Sequence, residues 1–175
     1  MRIRSLGVAV AVAVVVLAGC SGPGRQAIEP CSSDEVLDLV RMSESLGSSD
    51  RLVAEFATAA EQRTESVTMG EMTVRAGWSS GWDRAVWVGP GSTADSVNAD
   101  AGTDIGSNCL QGLPQGGSDS NGPAYPTYTL FVSQGVPVQA VMWREPNPDL
   151  RIGRAYLVPD SELKYVETIR AMSGK

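Results

Sequence analysis

Apolar and polar positions follow three different rhythms along this chain. Residues 6–19 show no period at all: fourteen consecutive uncharged residues, mostly Val and Ala, stand behind Arg2 and Arg4. The pattern then becomes helical. Val36, Leu37, Leu39, Val40 and Met42 fall on one broad apolar face. Ser32 with Glu35 reads as a capping box and Gly47 as a stop, which predicts a first helix. Ser48-Ser49-Asp50 opens a second, with Leu52, Val53, Phe56, Ala57 and Ala60 at i, i+3, i+4 spacing and a polar exit at 61–65. Period two takes over afterwards. Residues 66–69 read as a short strand, 82–88 as a longer one, and 155–158 as another. Residues 128–132 and 136–143 flank Ser133-Gln134-Gly135 as a hairpin, with Pro137 at the start of its second strand, where a missing N–H is tolerated.

Between these lie a turn at 77–81, a Pro-containing polar loop at 144–151, and a short helix capped by Ser92 with Asp95, running to about Ala101. Residues 102–124 form a long stretch rich in Gly, Ser, Asn and Pro, with Cys109 inside it. The tail 163–169 suits a helix by the spacing of Leu163, Val166 and Ile169, and a strand by propensity. Helices first, then strand, helix and hairpin, is the order of an α+β fold. The expectation is N-terminal helices packed on a small, mostly antiparallel sheet. There is no internal repeat.

The leading apolar run has a basic flank before it and small residues after it, the order of a secretory signal. Fourteen residues are short for a membrane span, which takes about 20. The run ends in Leu17-Ala18-Gly19-Cys20. That sequence resembles the lipobox of bacterial lipoproteins at every position. The resemblance implies a diacylglyceryl thioether on Cys20, cleavage before it and acylation of the new amino group. A single acyl chain, at about 0.8 kcal/mol per buried CH₂, holds only marginally; two make a stable anchor. The expected organisation is a cleaved signal peptide at 1–19, a Gly/Ser/Pro tether at 20–30 and one domain at 31–175, held on the extracytoplasmic face of the cell membrane. An ordinary signal peptide ending in Cys and a short anchor helix are the alternatives.

Composition narrows the chemistry. The chain has no histidine, which excludes a Ser-His-Asp triad, a Cys-His dyad and His-ligated zinc. Its net charge is −6 at neutral pH; without residues 1–19, 12 basic residues face 20 acidic ones. Nucleic-acid binders need a basic face, so nucleic acid is not an expected partner. An acidic body is repelled by anionic headgroups, so the lipid must do the holding. With Cys20 lipidated, Cys31 and Cys109 remain as one pair, and an exported domain favours a disulfide between them. A loop of this length is stabilised by about 4–5 kcal/mol in the chain-entropy treatment. Two free buried thiols are the alternative. No CxxC spacing exists, and neither a metal nor a cofactor is expected.

Carboxylates are the remaining acid–base candidates. Asp83 and Glu145 each lie beside a Trp and an Arg; a glycosidase needs two such groups about 5–10 Å apart. The blander reading is a carboxylate paired with its neighbouring Arg at the sheet rim. Trp82, Trp87 and Trp143 sit on predicted strands and are expected in the core. Trp78 sits in a Gly-rich loop and is the candidate ligand contact. Residues 89–93 lack the Lys and the spacing of a phosphate loop, and a turn plus N-cap explains them. The stretches Trp82-Asp83-Arg84-Ala85-Val86-Trp87-Val88-Gly89-Pro90 and Leu130-Phe131-Val132-Ser133-Gln134-Gly135-Val136-Pro137-Val138 are similar to a group of uncharacterised small bacterial lipoproteins, from which Gly91 and Ser92 depart. That resemblance implies a fold and assigns no residue a role. Three functions follow as expectations. The first is an anchored non-catalytic domain binding an envelope protein. The second is an anchored small-ligand or glycan-binding protein using Trp78 and the 102–124 loop. The third is an Asp/Glu-dependent hydrolase.

Overall fold

A computed structural model describes residues 31, 36–115, 126–144, 150–153 and 155–174. In chain order the elements are β1 (Leu37–Asp38), α1 (Ser49–Glu61), β2 (Val67–Thr68), α2 (Met69–Arg75), β3 (Arg84–Val88), α3 (Ala94–Ala101), β4 (Leu110–Gln111), β5 (Thr127–Ser133), β6 (Val136–Trp143), β7 (Leu150–Ile152), β8 (Tyr156–Leu157), β9 (Glu162–Val166) and β10 (Ala171–Gly174). The fold is α+β, with its helices early and its sheets mostly antiparallel. A central sheet has the order β6-β5-β3-β8, a second β2-β9-β10-β7, and β1 pairs with β4 alone. The β1–β4 and β7–β10 pairs are parallel; the others are antiparallel.

Successive side chains of a strand point to opposite faces. In β3 and β5 the central positions are buried on both faces, so this part of the sheet is covered on both sides. Ala85, Phe131, Val141 and Trp143 face an inner core with Leu52 and Phe56 of α1, Met69 and Met72 of α2, and Leu163 and Met172 of the second sheet. Aromatic edges lock it: Trp78 and Trp82 meet Phe131 at 4.9 and 5.2 Å, and Phe56 meets Trp143 at 5.2 Å. Val86, Val88, Tyr128, Leu130 and Val132 face an outer core, covered by Val97 and Ala101 of α3 and by Leu39 and Leu110. The expected β5–β6 hairpin is present. Gln134 (φ 50°) and Gly135 (φ 78°) both take left-handed backbone, the turn that matches strand twist.

Four expectations are corrected. The helix expected from Ser32 to Gly47 does not form where the structure describes it; its opening residues 32–35 lie outside the described part. Leu37 N–H donates to Cys109 O at 2.8 Å and Leu39 N–H to Gln111 O at 3.1 Å, which makes Leu37–Asp38 a short strand, with turns and irregular chain after it. The Asp38 carboxylate accepts from Val40 N–H at 3.0 Å, a local bond that competes with helix. An unexpected helix, α2, follows β2: Thr68 and Glu71 form a reciprocal capping box around an apolar Met69 and Met72. The cap of α3 is Thr93 with Ser96 rather than Ser92 with Asp95; Ser92 Oγ instead accepts from Gly89 N–H at 3.0 Å. Strand β7 ends the stretch expected to be a loop at 144–151, because parallel pairing to β10 satisfies its backbone. The ambiguous tail resolves as strand, β9 turning at Arg170 (φ 49°) into β10. Residues 116–124 and 145–149 of the expected loops lie outside the described part.

Candidate functional site

Cys31 and Cys109 are disulfide-bonded, with Cα atoms 5.4 Å apart. Gly106 makes room for the bridge: a Cβ there would stand 3.0 Å from Cys109 Sγ. Its carbonyl accepts from Cys109 N–H at 2.7 Å. The bridge joins the start of the described domain to the segment after α3. Cys20, the expected lipidation site, and Glu145, a candidate carboxylate, lie outside the described residues.

Trp78 is not the exposed loop aromatic expected from its glycines. It is 6 % exposed. Gly77 (φ 76°) reverses the chain at the end of α2 and turns the indole inward. There its Nε1–H donates to Ser48 O at 2.8 Å, and Gly47 packs so close that a Cβ would sit 2.5 Å from Cδ1. Trp82 and Trp143 are core residues as expected, and Trp143 Nε1–H donates to buried Thr129 Oγ1 at 2.9 Å. Trp87, also expected in the core, is only half-buried. Its ring lies across Gly89, where a Cβ would meet it at 2.0 Å.

Asp83 lies at the foot of β3, where its carboxylate accepts from Gln134 N–H of the hairpin turn and its own N–H donates to Val132 O at 2.8 Å. It braces a turn and does not pair with Arg84. The Arg84 guanidinium stacks over the Tyr156 ring at 4.7 Å instead. The carboxylates with displaced acidities are likewise structural. Glu71 is held below the usual range by hydrogen bonding from the Thr68 backbone N–H, then by the Thr68 side chain. Glu162 is lowered by the Ser66 hydroxyl at 2.6 Å, then by Lys164. Burial pushes the Tyr128 phenol up. Among the described residues no three of Cys, Asp and Glu cluster as a metal site would need, and no helix is long and apolar enough to cross a membrane.

An open groove of about 430 Å³ lies where the 89–93 turn meets the segment beyond Cys109. Ser92, Thr93 and Asp95 form one wall, Leu113, Pro114 and Gln115 the other, and Ser107 lies between. The turn and cap explain residues 89–93, as expected: Thr93 N–H donates to Ser96 Oγ at 2.9 Å and Ser96 N–H to Thr93 Oγ1 at 3.2 Å. The acidic Asp95 in the first turn opposes an anion there. The groove is lined in part by described residues of the long loop, and Trp78 is not among its lining residues. No sequence signal marked Leu113 to Gln115, which line the groove only through the tertiary course of the chain after α3.

No known family model, curated protein or solved structure matches the chain.

Proposed function

We propose that this chain is a lipid-anchored extracytoplasmic domain that binds a partner at the cell envelope and performs no chemistry of its own. The observation that carries the reading is Leu17-Ala18-Gly19-Cys20 at the end of an uncharged run behind two arginines. The Cys31–Cys109 bridge supports it, since disulfides form in the oxidising space that exported proteins reach. The engagement of Asp83, Glu71 and Glu162 in turns, caps and strand edges supports the non-catalytic part. The membrane is reached through the lipid on Cys20, and the partner is an envelope protein.

A second reading, an anchored small-ligand binder, is favoured by the groove between Ser92 and Pro114. Its mixed lining of hydroxyls, one carboxylate, one amide and three apolar side chains suits a small neutral polar molecule such as a sugar.

Fractionation of cells making the wild type or Cys20→Ala tests the anchor. The wild type is expected in the membrane fraction, extracted by detergent and not by high salt. Cys20→Ala is expected to retain its signal segment or to leave the detergent phase. Equal partitioning of both proteins into the soluble fraction would overturn the reading.

A further inference from the structure

Residues 36–43 are fixed at their two ends by unlike means. At the far end, residues 44–49 are bonded into the domain body. Leu46 N–H donates to the buried Gln139 Oε1 at 2.9 Å, Gln139 Nε2 donates to Gly47 O at 2.8 Å, and Ser45 Oγ donates to Val138 O at 2.6 Å. Ser79 N–H donates to Leu46 O at 2.8 Å. At the near end, the segment has the two-residue ladder of β1 on β4, and Cys31, five residues before the segment in the chain, is disulfide-bonded to Cys109. Neither β1 nor β4 pairs with any other strand among the described residues. Leu39, Leu37 and Met42 of this segment lie over the fully buried Val86, Val88, Leu130 and Val132 of the central sheet. Both bridging cysteines are only half-buried.

We propose that the Cys31–Cys109 disulfide is a redox-sensitive clasp on a strap formed by residues 36–43. Closed, it holds the strap over the outer core. A dithiol reductant opens it in two steps. Its thiolate attacks one bridging sulfur to give a mixed disulfide and release the other as a thiolate. Its second thiol then displaces the remaining sulfur, so the dithiol becomes a disulfide and both cysteines end as thiols. A two-residue ladder is too short to persist without the covalent link, since ladders of this length do not stand alone. The strap then swings about residues 44–49, which the Gln139 amide keeps in place. On the anchored reading, the covalent path from Cys20 meets the body at Cys31 while the clasp is closed, eleven residues away and at most about 40 Å. Opening moves that junction to Glu44 and lengthens the reach by at most about 45 Å.

Hydrogen exchange on the full chain in detergent, oxidised and then treated with dithiothreitol, tests the clasp. Amides of 36–43 and 110–111 are expected to exchange at least about tenfold faster after reduction, with α1, β5 and β6 unchanged. The Cys31→Ser/Cys109→Ser pair is expected to match the reduced wild type without reductant. Unchanged protection of 36–43 would overturn the proposal. So would loss of protection throughout the chain, which would make the bridge a condition of folding. The same comparison on a Cys20→Ala background separates the clasp from the anchor, because the exchange pattern does not depend on lipid.

Discussion

The two faces of the central sheet are both covered but are held by different means. The inner core is built from side chains distant in sequence: Phe131 against Trp78 and Trp82, Phe56 against Trp143, and a buried amide, Gln139, tying β6 to the chain before α1. The outer core is covered by an eight-residue helix, a two-residue strand pair and one disulfide. Burial rests on packing alone on the inner face, and on packing together with a covalent link on the outer one. On the clasp proposal, the covalent link is released without unfolding the rest.

The sharpest way to break this comparison is at Phe131, fully buried between two indoles. Phe131→Ala is expected to cost about 3–5 kcal/mol, read from the denaturant midpoint, and to lower both cores together because β5 serves both. The Cys31→Ser/Cys109→Ser pair is expected to cost about 2–4 kcal/mol while leaving the near-ultraviolet signal of the inner tryptophans in place. A matching loss of that signal would erase the distinction between the faces. Gln139→Leu is expected to cost about 1–3 kcal/mol by leaving Leu46 N–H and Gly47 C=O unpaired. It should also free residues 44–47 in hydrogen exchange. On the outer side, Thr93→Ala is expected to cost about 1 kcal/mol as the true cap of α3.

The smallest effect is acid-dependent. Glu71 has a lowered pKa in the folded chain, so its contribution is present above the unfolded value and is lost as pH falls through the folded one. Glu71→Gln is expected to flatten the stability profile slightly on the acid side of the carboxylate range and to leave neutral pH nearly unchanged, read by thermal melts across pH.

Local signals carried much of this fold in the sequence. Ser48 before an i, i+3, i+4 run marked α1, and two apolar strands around Gln134-Gly135 marked the hairpin. Non-local pairing hid the rest. Residues 36–42 have a helical face, yet pairing with residues 110–111 across a disulfide overrides it. Strand β7 is legible only through β10. Helix α2 was legible: Thr68 and Glu71 are a capping box, obscured by a stretch that also reads as strand. Trp78 was misplaced because its glycines signal a turn but not which way the turn aims the ring. The groove was hidden for a related reason, since Leu113 and Thr93, twenty positions apart, line it together only in the folded chain.

Mass spectrometry of the protein purified from membranes tests the central claim most directly. The account predicts an N-terminal peptide that begins at Cys20 and carries the added mass of a diacylglyceryl group, with or without a third acyl chain. A peptide that begins at Met1, or an unmodified Cys20, would contradict it.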